Sequence, residues 1–146
     1  MILDTDILID LLRGKDEARD FLLSLPANSP HCCSAITVAE IHSGMREAER
    51  EKTTELIDSL VVLPVTKEIA EVAGRFRRAY RDGNAAGGVT RSGKKSRAVA
   101  SSQLELELDD CLIAATAVVE GLELVTRNKR HYPMPEITVR SVVYQE

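Results

Sequence analysis

The amino-terminal stretch MILDTDILIDLL, residues 1–12, holds the pattern that decides the fold. Met1 to Asp4 is short and apolar and predicts a buried strand, and Ile7 to Leu12 predicts a short helix soon after it. A carboxylate, Asp4, stands at the junction. Because charged side chains are rarely buried without compensation, Asp4 indicates either a helix cap or a functional site.

Further apolar segments alternate with helical ones along the chain. Strands are predicted at His31 to Ser34, Val61 to Val65, Leu122 to Thr126 and Ile137 to Val139, and helices at Glu17 to Leu25, Thr37 to about Arg50, Lys52 to Leu60, Thr66 to Arg81 and Ile113 to Glu120. This alternation predicts an α/β fold with three layers, α/β/α, around a central, mainly parallel sheet. Ligands of such sheets bind outside the carboxyl ends of the strands.

The chain has 146 residues, which suits one domain over 1–146. The stretch at about 83–103 differs in composition, because it is rich in glycine and small polar residues and carries Arg91, Lys94, Lys95 and Arg97. We interpret it as a flexible basic insertion. It is either a solvated surface loop or an arm that draws a phosphate backbone toward an acidic site.

Composition excludes several classes of protein. Aromatic residues make up 3% of the chain and Trp is absent, which argues against modules that bind nucleic acid by stacking bases. The formal net charge is −4, so a nucleic-acid partner requires local basic patches or bound metal. No apolar stretch approaches the ~20 residues that span a bilayer. Cys32, Cys33 and Cys111 suit reduced core thiols of a cytoplasmic protein, and their spacing suits no zinc site.

Two more carboxylates lie beside apolar segments. Glu40 belongs to SAITVAEI, residues 34–41, and Asp110 opens DCLIAATAVV, residues 110–119. If Asp4, Glu40 and Asp110 converge, they repel one another unless a cation holds them together. A hard divalent ion such as Mg²⁺ or Mn²⁺ suits oxygen ligands. The pattern therefore predicts a metal-dependent phosphoryl-transfer or nuclease site.

Each of these acidic residues also has a structural interpretation. Asp4 or Asp6 can cap the first helix. Thr37 and Glu40 have the spacing of a capping box, in which each side chain bonds the other's backbone amide. Asp109 is expected to cap the helix that follows it, which leaves its neighbour Asp110 free for a ligand.

Other polar features of the chain are also open to a structural interpretation. Thr126 to Asn128 forms either a simple turn or a segment whose hydroxyl and amide orient water or phosphate. The histidines, His31, His42 and His131, are expected to have structural or surface roles. Asp10 is expected on the solvated face of the first helix.

Four landmarks in the same order resemble those of the PIN-domain ribonucleases, specifically the VapC-type toxins of toxin–antitoxin pairs. They are Ile2 to Ile9, Ser34 to Ile41, Asp110 to Ala117, and Leu124 to Asn128, followed by His131 and Tyr132. The resemblance covers almost the whole chain. Two features depart from the family pattern, namely Asn128 at the fourth acidic position and the long stretch at about 83–103.

The resemblance implies a site and a function. Asp4, Glu40 and Asp110 would be the catalytic and metal-binding residues, with Thr126, Asn128 and Asp6 positioning water or substrate. The activity implied is Mg²⁺-dependent endonucleolytic cleavage of single-stranded or loop RNA, with Mn²⁺ as an alternative ion. The implied partners are the RNA, a small neutralising antitoxin and a second copy of the chain, all in the cytoplasm.

The sequence also permits two rival functions. A PIN-fold protein with weak or no catalysis could bind only RNA or a partner, and Asn128 permits this. A phosphatase of the haloacid-dehalogenase type would use Asp4-Thr5-Asp6 as its nucleophile motif, forming an aspartyl phosphate. In its favour, Leu104 to Leu108 alternates like a strand and ends in Asp109 and Asp110, as that superfamily also expects.

Overall fold

The computed structural model describes residues 1–81 and 106–144. The stretch at about 83–103 that we interpret as a flexible basic insertion lies outside these residues. The elements in chain order are β1 (Ile2–Leu3), α1 (Thr5–Leu12), α2 (Asp16–Ser24), β2 (Cys32–Ser34), α3 (Ala35–Gly44), α4 (Arg50–Asp58), β3 (Val61–Leu63), α5 (Lys67–Arg81), α6 (Leu108–Val119), β4 (Leu124–Thr126) and β5 (Val139–Ser141), with 3₁₀ turns at Glu47–Glu49 and Lys129–His131.

The five strands form one sheet in the order β3-β2-β1-β4-β5. Every neighbouring pair is parallel, which confirms the predicted α/β class and its parallel sheet. The strand β1 lies at the centre, with Ile2 opposite both Cys32 and Leu124. The carboxyl ends of β2, β1 and β4 therefore meet at one edge.

Successive strand residues point to opposite faces of the sheet, and each face carries its own apolar core. Ile2 and Leu124 pack in a cluster with α5 and α6 residues such as Phe76. Leu3 and Val125 pack in a second cluster with residues of α1 such as Ile7. Helices thus cover both faces, as the three-layer prediction required.

Several predicted boundaries were wrong. The helix expected from Thr37 to about Arg50 begins at Ala35 and ends at Gly44. Its N-cap is Ser34, whose hydroxyl accepts a hydrogen bond from the Ile36 amide at 3.2 Å. The strand expected at Ile137 to Val139 lies at Val139–Ser141 instead.

The three cysteines, Cys32, Cys33 and Cys111, are buried and unpaired. Burial raises the pKa of Cys33 and of Cys111 to about 11, so both remain thiols at neutral pH. In the part of the chain that the structure describes, no helix is long and apolar enough to cross a membrane.

Candidate active site

A crevice of about 350 Å³ opens at the carboxyl edge of the sheet. It is lined by Asp4, Thr5, Asp6, Ile9, Glu40, Glu107, Asp109, Asp110, Asn128 and His131. The elements that supply these residues are far apart in sequence, and the parallel strands bring them together. Most of the side chains predicted for the site therefore line the same crevice.

Asp4 lies at the bottom of the crevice and is 5% exposed. One oxygen, Oδ1, accepts a hydrogen bond from the Thr5 amide at 2.8 Å, so Asp4 is the N-cap of α1. The other, Oδ2, accepts one from the Thr126 hydroxyl at 2.7 Å. Burial raises the pKa of Asp4 above its ordinary value, although hydrogen bonds from Thr126, Tyr132 and Thr5 oppose the rise.

Asp6 lies two residues after Asp4, in the first turn of α1. Its Oδ2 accepts a hydrogen bond from the Arg127 amide at 3.0 Å and is 3.3 Å from the Thr126 hydroxyl. Its Oδ1 is buried and has no hydrogen-bond partner among the described residues. Burial and the nearby Asp4 carboxylate raise the pKa of Asp6 to about 6. Asp6 therefore offers an unused buried oxygen to the crevice.

Glu40 does not form the capping box with Thr37 that the sequence suggested. The helix begins earlier than that motif requires, so Thr37 lies inside α3 and is fully buried. The Glu40 Oε1 atom instead accepts a hydrogen bond from the Thr5 hydroxyl at 2.9 Å. Burial raises the pKa of Glu40, the Thr5 bond opposes the rise, and the negative charges of Asp109, Asp110 and Asp4 add to it.

Asp110 projects from the first turn of α6. The prediction that Asp109 caps this helix was wrong, because the helix begins at Leu108 and Glu107 is its N-cap residue. The Asp110 Oδ2 atom lies 3.2 Å from His131 Nδ1, and Oδ1 lies 3.4 Å from the Tyr132 hydroxyl, a weak contact. Burial raises the pKa of Asp110 to about 6, His131 opposes the rise and Asp4 adds to it.

The segment Thr126–Asn128 after β4 holds several of these groups in place. The Asn128 amide donates to the Thr126 hydroxyl oxygen at 2.9 Å, and that hydroxyl donates to Asp4. The Asn128 side-chain nitrogen lies 2.9 Å from His131 Nε2. The segment is therefore more than a turn, since its side chains bind one carboxylate and a histidine of the crevice.

Three residues near the crevice were not predicted as part of it. His131 was expected to have a structural or surface role, yet it contacts Asp110 and Asn128. Tyr132 is buried with its hydroxyl beside Asp110, and Arg127 binds Asp6 through its amide. The only feature of the sequence that pointed to these three residues was their position shortly after the strand β4.

The expectation that Asp10 lies on a solvated helix face was wrong. Asp10 is 2% exposed and binds Lys15, Arg127 and Tyr144. Burial raises the pKa of Asp10, but the hydrogen bonds from Lys15, Tyr144 and Arg127 outweigh burial and hold it below its ordinary value. Periodicity placed Asp10 on the outer face because it could not reveal that the carboxy-terminal residues cover that face.

The crevice fits a hard cation. Its lining includes five Asp or Glu side chains besides Asp4 and, among the residues that the structure describes, neither Lys nor Arg. Raised pKa values and the unpartnered Asp6 oxygen both indicate negative charge that lacks compensation. Within residues 1–81 and 106–144, no three His, Cys, Asp or Glu side chains are close enough to hold one ion directly. Water would complete the shell, as is usual for Mg²⁺.

Fold and site together define an α/β domain with an acidic crevice at the carboxyl edge of a parallel sheet. The family model for the PIN domain matches residues 1–137. Ribonuclease VapC10 of Mycobacterium tuberculosis is 38% identical over 136 residues, which cover 93% of this chain and 88% of the relative. The chain therefore belongs to the PIN-domain family and, within it, to the VapC-type proteins.

Solved structures agree with this assignment. A toxin–antitoxin complex from Klebsiella pneumoniae contains a chain with a TM-score of 0.69 and 26% identity, covering 97% of this chain and 98% of that one. VapBC2 from Rickettsia felis, bound to a DNA fragment from its promoter, contains one with a TM-score of 0.73 and 19% identity, at the same coverage. The second likeness concerns the fold alone.

Proposed function

We propose that this chain is a divalent-metal-dependent endoribonuclease and the toxin of a toxin–antitoxin pair. The observation that carries the proposal is the convergence of Asp4, Asp6, Glu40 and Asp110 on one crevice that is lined by no Lys or Arg among the described residues. The relative named a ribonuclease, at 38% identity, supports the reaction type. The proposed substrate is single-stranded RNA or an RNA loop.

In this proposal Asp4, Glu40 and Asp110 would hold Mg²⁺, or Mn²⁺ in its place, partly through water. The ion would supply positive charge for the phosphoryl oxygens and a lowered pKa for the attacking water. Hydrogen bonds within the chain already orient two of these carboxylates. Thr126 and the Thr5 amide fix the two oxygens of Asp4, and the Thr5 hydroxyl fixes Glu40.

The remaining groups of the crevice position water, substrate or the Asp110 carboxylate. Asn128 and Thr126 orient water or substrate, and Asp6 offers its free oxygen beside them. His131 and Tyr132 contact the two oxygens of Asp110 and fix its orientation. Because Asn128 is uncharged, the site carries one negative charge fewer than an Asp at that position would give.

A groove beside the crevice supports RNA as the substrate. Its volume is about 300 Å³, and Ile9 and Glu40 line both it and the crevice. Arg13, Arg46 and Lys52 line the groove and form no ion pair with the described residues. Cations next to an acidic site can hold a phosphate backbone even though the net charge of the chain is −4.

The partners and setting of this function are also proposals. The structural likeness to a toxin–antitoxin complex supports a small antitoxin as partner. An antitoxin arginine could pair with the crevice carboxylates and compete with the divalent ion. We further propose that the protein is cytoplasmic, forms a homodimer, and comprises one domain over 1–146 with an insertion at about 83–103.

The decisive test is RNA cleavage by the purified protein with Mg²⁺, with EDTA, and with Mn²⁺ added back. We expect cleavage that EDTA abolishes, and an Asp110→Asn variant that is slower by about 10³-fold, since metal and nucleophile are lost together. Asp58→Asn, an exposed carboxylate on α4, is the matched control and should cleave normally. Undiminished cleavage by Asp110→Asn would refute the assignment.

Of the two rival functions, the phosphatase is disfavoured by the part of the predicted strand Leu104 to Leu108 that the structure describes, because residues 106–108 form no strand. Residue Leu108 begins the helix α6, and Asp109 and Asp110 are helical as well. The non-catalytic PIN-fold protein remains an outcome of the test. It predicts no Mg²⁺ or Mn²⁺ binding by calorimetry and no cleavage with either ion.

A further inference from the structure

A buried ion cluster lies next to the candidate active site, further along α1. Asp10 is its centre and is 2% exposed. Its Oδ1 lies 2.7 Å from Lys15 Nζ, and its Oδ2 lies 2.6 Å from Arg127 Nη1 and accepts a hydrogen bond from the Tyr144 hydroxyl at 3.0 Å. Both oxygens of this buried carboxylate are therefore compensated.

The Arg127 guanidinium has two partners in this cluster. Besides its ion pair with Asp10, it stacks over the Tyr144 ring, with its central carbon 4.8 Å from the ring centroid. Tyr144 follows β5, so the cluster joins α1, the end of β4 and the segment after β5. A planar guanidinium held by a carboxylate and a ring has a fixed orientation.

The backbone of the same arginine reaches the crevice. The Arg127 amide donates to Asp6 Oδ2 at 3.0 Å. Its neighbours on either side are Thr126, which donates to Asp4, and Asn128, which contacts His131. The position of the Arg127 side chain therefore influences the contact of its own amide with Asp6 and the positions of its neighbours Thr126 and Asn128.

We propose that Asp10, Arg127 and Tyr144 form a latch that positions the segment Thr126–Asn128 against the carboxylates of the crevice. Asp10 and Tyr144 touch no group that would react, so both are positioning residues. The latch rests on the proposed function for its effect on catalysis. Its effect on the structure of the metal-free site does not depend on that function.

The central variant is Asp10→Asn, which keeps the shape of the side chain and removes the charge that holds Arg127. We expect the affinity for Mn²⁺ and the kcat for RNA each to fall by about tenfold or more, the range typical when groups that orient metal ligands are replaced. The KM for RNA should change little, because Asp10 is buried and lines neither the crevice nor the groove beside it. Tyr144→Phe, which removes one hydrogen bond, should give a smaller loss in the same direction.

A readout independent of metal and RNA is amide hydrogen exchange in the metal-free protein. The Arg127 and Asn128 amides are bonded to Asp6 and Thr126, so we expect Asp10→Asn to speed their exchange by about tenfold or more. Ile69→Val is the matched control, because Ile69 is fully buried on α5 in the other core cluster. That variant should lose stability without changing exchange at these two amides.

The outcomes separate the latch from the proposed function. If Asp10→Asn lowers the melting temperature but leaves Arg127 exchange and Mn²⁺ affinity equal to those of Ile69→Val, the cluster is only structural and the latch is wrong. If the wild-type protein neither binds Mn²⁺ nor cleaves RNA, the proposed function fails, while the exchange comparison still decides the latch. Should Asp10→Asn not fold, Arg127→Lys tests the same contacts with the charge retained.

Discussion

Burial, with the nearby Asp4 carboxylate adding to it, favours the protonated forms of Asp6 and Asp110. Their pKa values rise from 3.8 to about 6, so between these limits the folded protein binds protons that the unfolded chain has released. The stability of the metal-free protein should therefore fall as the pH rises through this window. Divalent ions compete with the same protons, so their affinity should rise with pH.

This gives a prediction for thermal unfolding. At pH 8 in EDTA we expect Asp110→Asn to melt about 2–4 °C above the wild type, roughly 1 kcal/mol, because it removes a buried charge that the fold compensates only in part. At pH 5 the two should differ less. Adding Mg²⁺ or Mn²⁺ should raise the wild-type melting temperature more at pH 8 than at pH 5, and the opposite order would contradict the pKa assignment.

Thr5 supports Glu40 through its side chain. Its hydroxyl donates to Glu40 Oε1 at 2.9 Å and is 3.1 Å from the Thr37 hydroxyl. Thr5→Val keeps the shape of the side chain and removes the donor, so Glu40 should ionise less readily and bind a divalent ion more weakly. We predict a loss of about tenfold in Mn²⁺ affinity, measured by calorimetry, and of roughly 1 kcal/mol in stability.

The control for this prediction is Thr116→Val. Thr116 is also buried, but its hydroxyl donates to the Leu112 carbonyl at 2.7 Å within α6. The stability cost of the two variants should be similar, whereas Thr116→Val should leave Mn²⁺ affinity unchanged. Equal losses of affinity in both variants would show that the Thr5 hydroxyl has no specific role.

Among the secondary-structure elements, the junction between β1 and α1 gives Asp4 two roles in one side chain. It caps α1 through Oδ1 and takes part in the crevice through Oδ2. The sequence left these roles as alternatives, and the structure makes them compatible because each uses a different oxygen.

Two substitutions separate these roles. Asp4→Asn preserves a capping oxygen and should keep stability near that of the wild type. Asp4→Ala removes the cap and should lower the free energy of unfolding by about 1 kcal/mol. Both should reduce RNA cleavage by about 10³-fold. Urea unfolding and a cleavage assay on the same preparations measure the two effects. If Asp4→Asn retains cleavage, the carboxylate charge is not needed at this junction.

Periodicity predicted the elements well where one face is buried, as in α5, with Ile69 and Phe76 on its inner face. It failed at boundaries that side-chain caps decide. The Thr37 to Glu40 spacing imitates a capping box, but Ser34 takes the cap and moves the helix start to Ala35. A local motif cannot reveal which of two competing hydroxyls the tertiary structure orients toward the helix amides.

Across the domain, the strand order explains why the site could be anticipated. With β1 between β2 and β4, Asp4 and Thr126 become neighbours although 122 residues separate them in sequence. The rule for parallel sheets predicted this edge as the binding edge. It could not predict Asp10 as buried or His131 as a contact of Asp110, because both depend on how the residues after β4 fold back.

The groove beside the crevice leads to a prediction about substrate binding. Arg46 and Lys52 line it, and both are exposed. Reversing both charges, as Arg46→Glu with Lys52→Glu, should raise the KM for RNA by about tenfold at ~0.1 M salt and leave kcat within roughly twofold, because phosphate contacts position the substrate without touching the reacting atoms. In a plot of log affinity against log salt concentration, the slope should become shallower by about 0.7 for each phosphate of a single strand that the variant no longer neutralises.

The same change of net charge elsewhere provides the control. Arg75→Glu with Arg78→Glu alters two exposed arginines on α5, which line neither the crevice nor the groove. Since that pair shifts the net charge equally, any effect it shares with the groove variant is long-range repulsion of RNA. If the groove variant binds RNA no more weakly than this control, the RNA strand leaves the crevice by another route. The basic stretch at about 83–103 would then be the next segment whose charges should be neutralised.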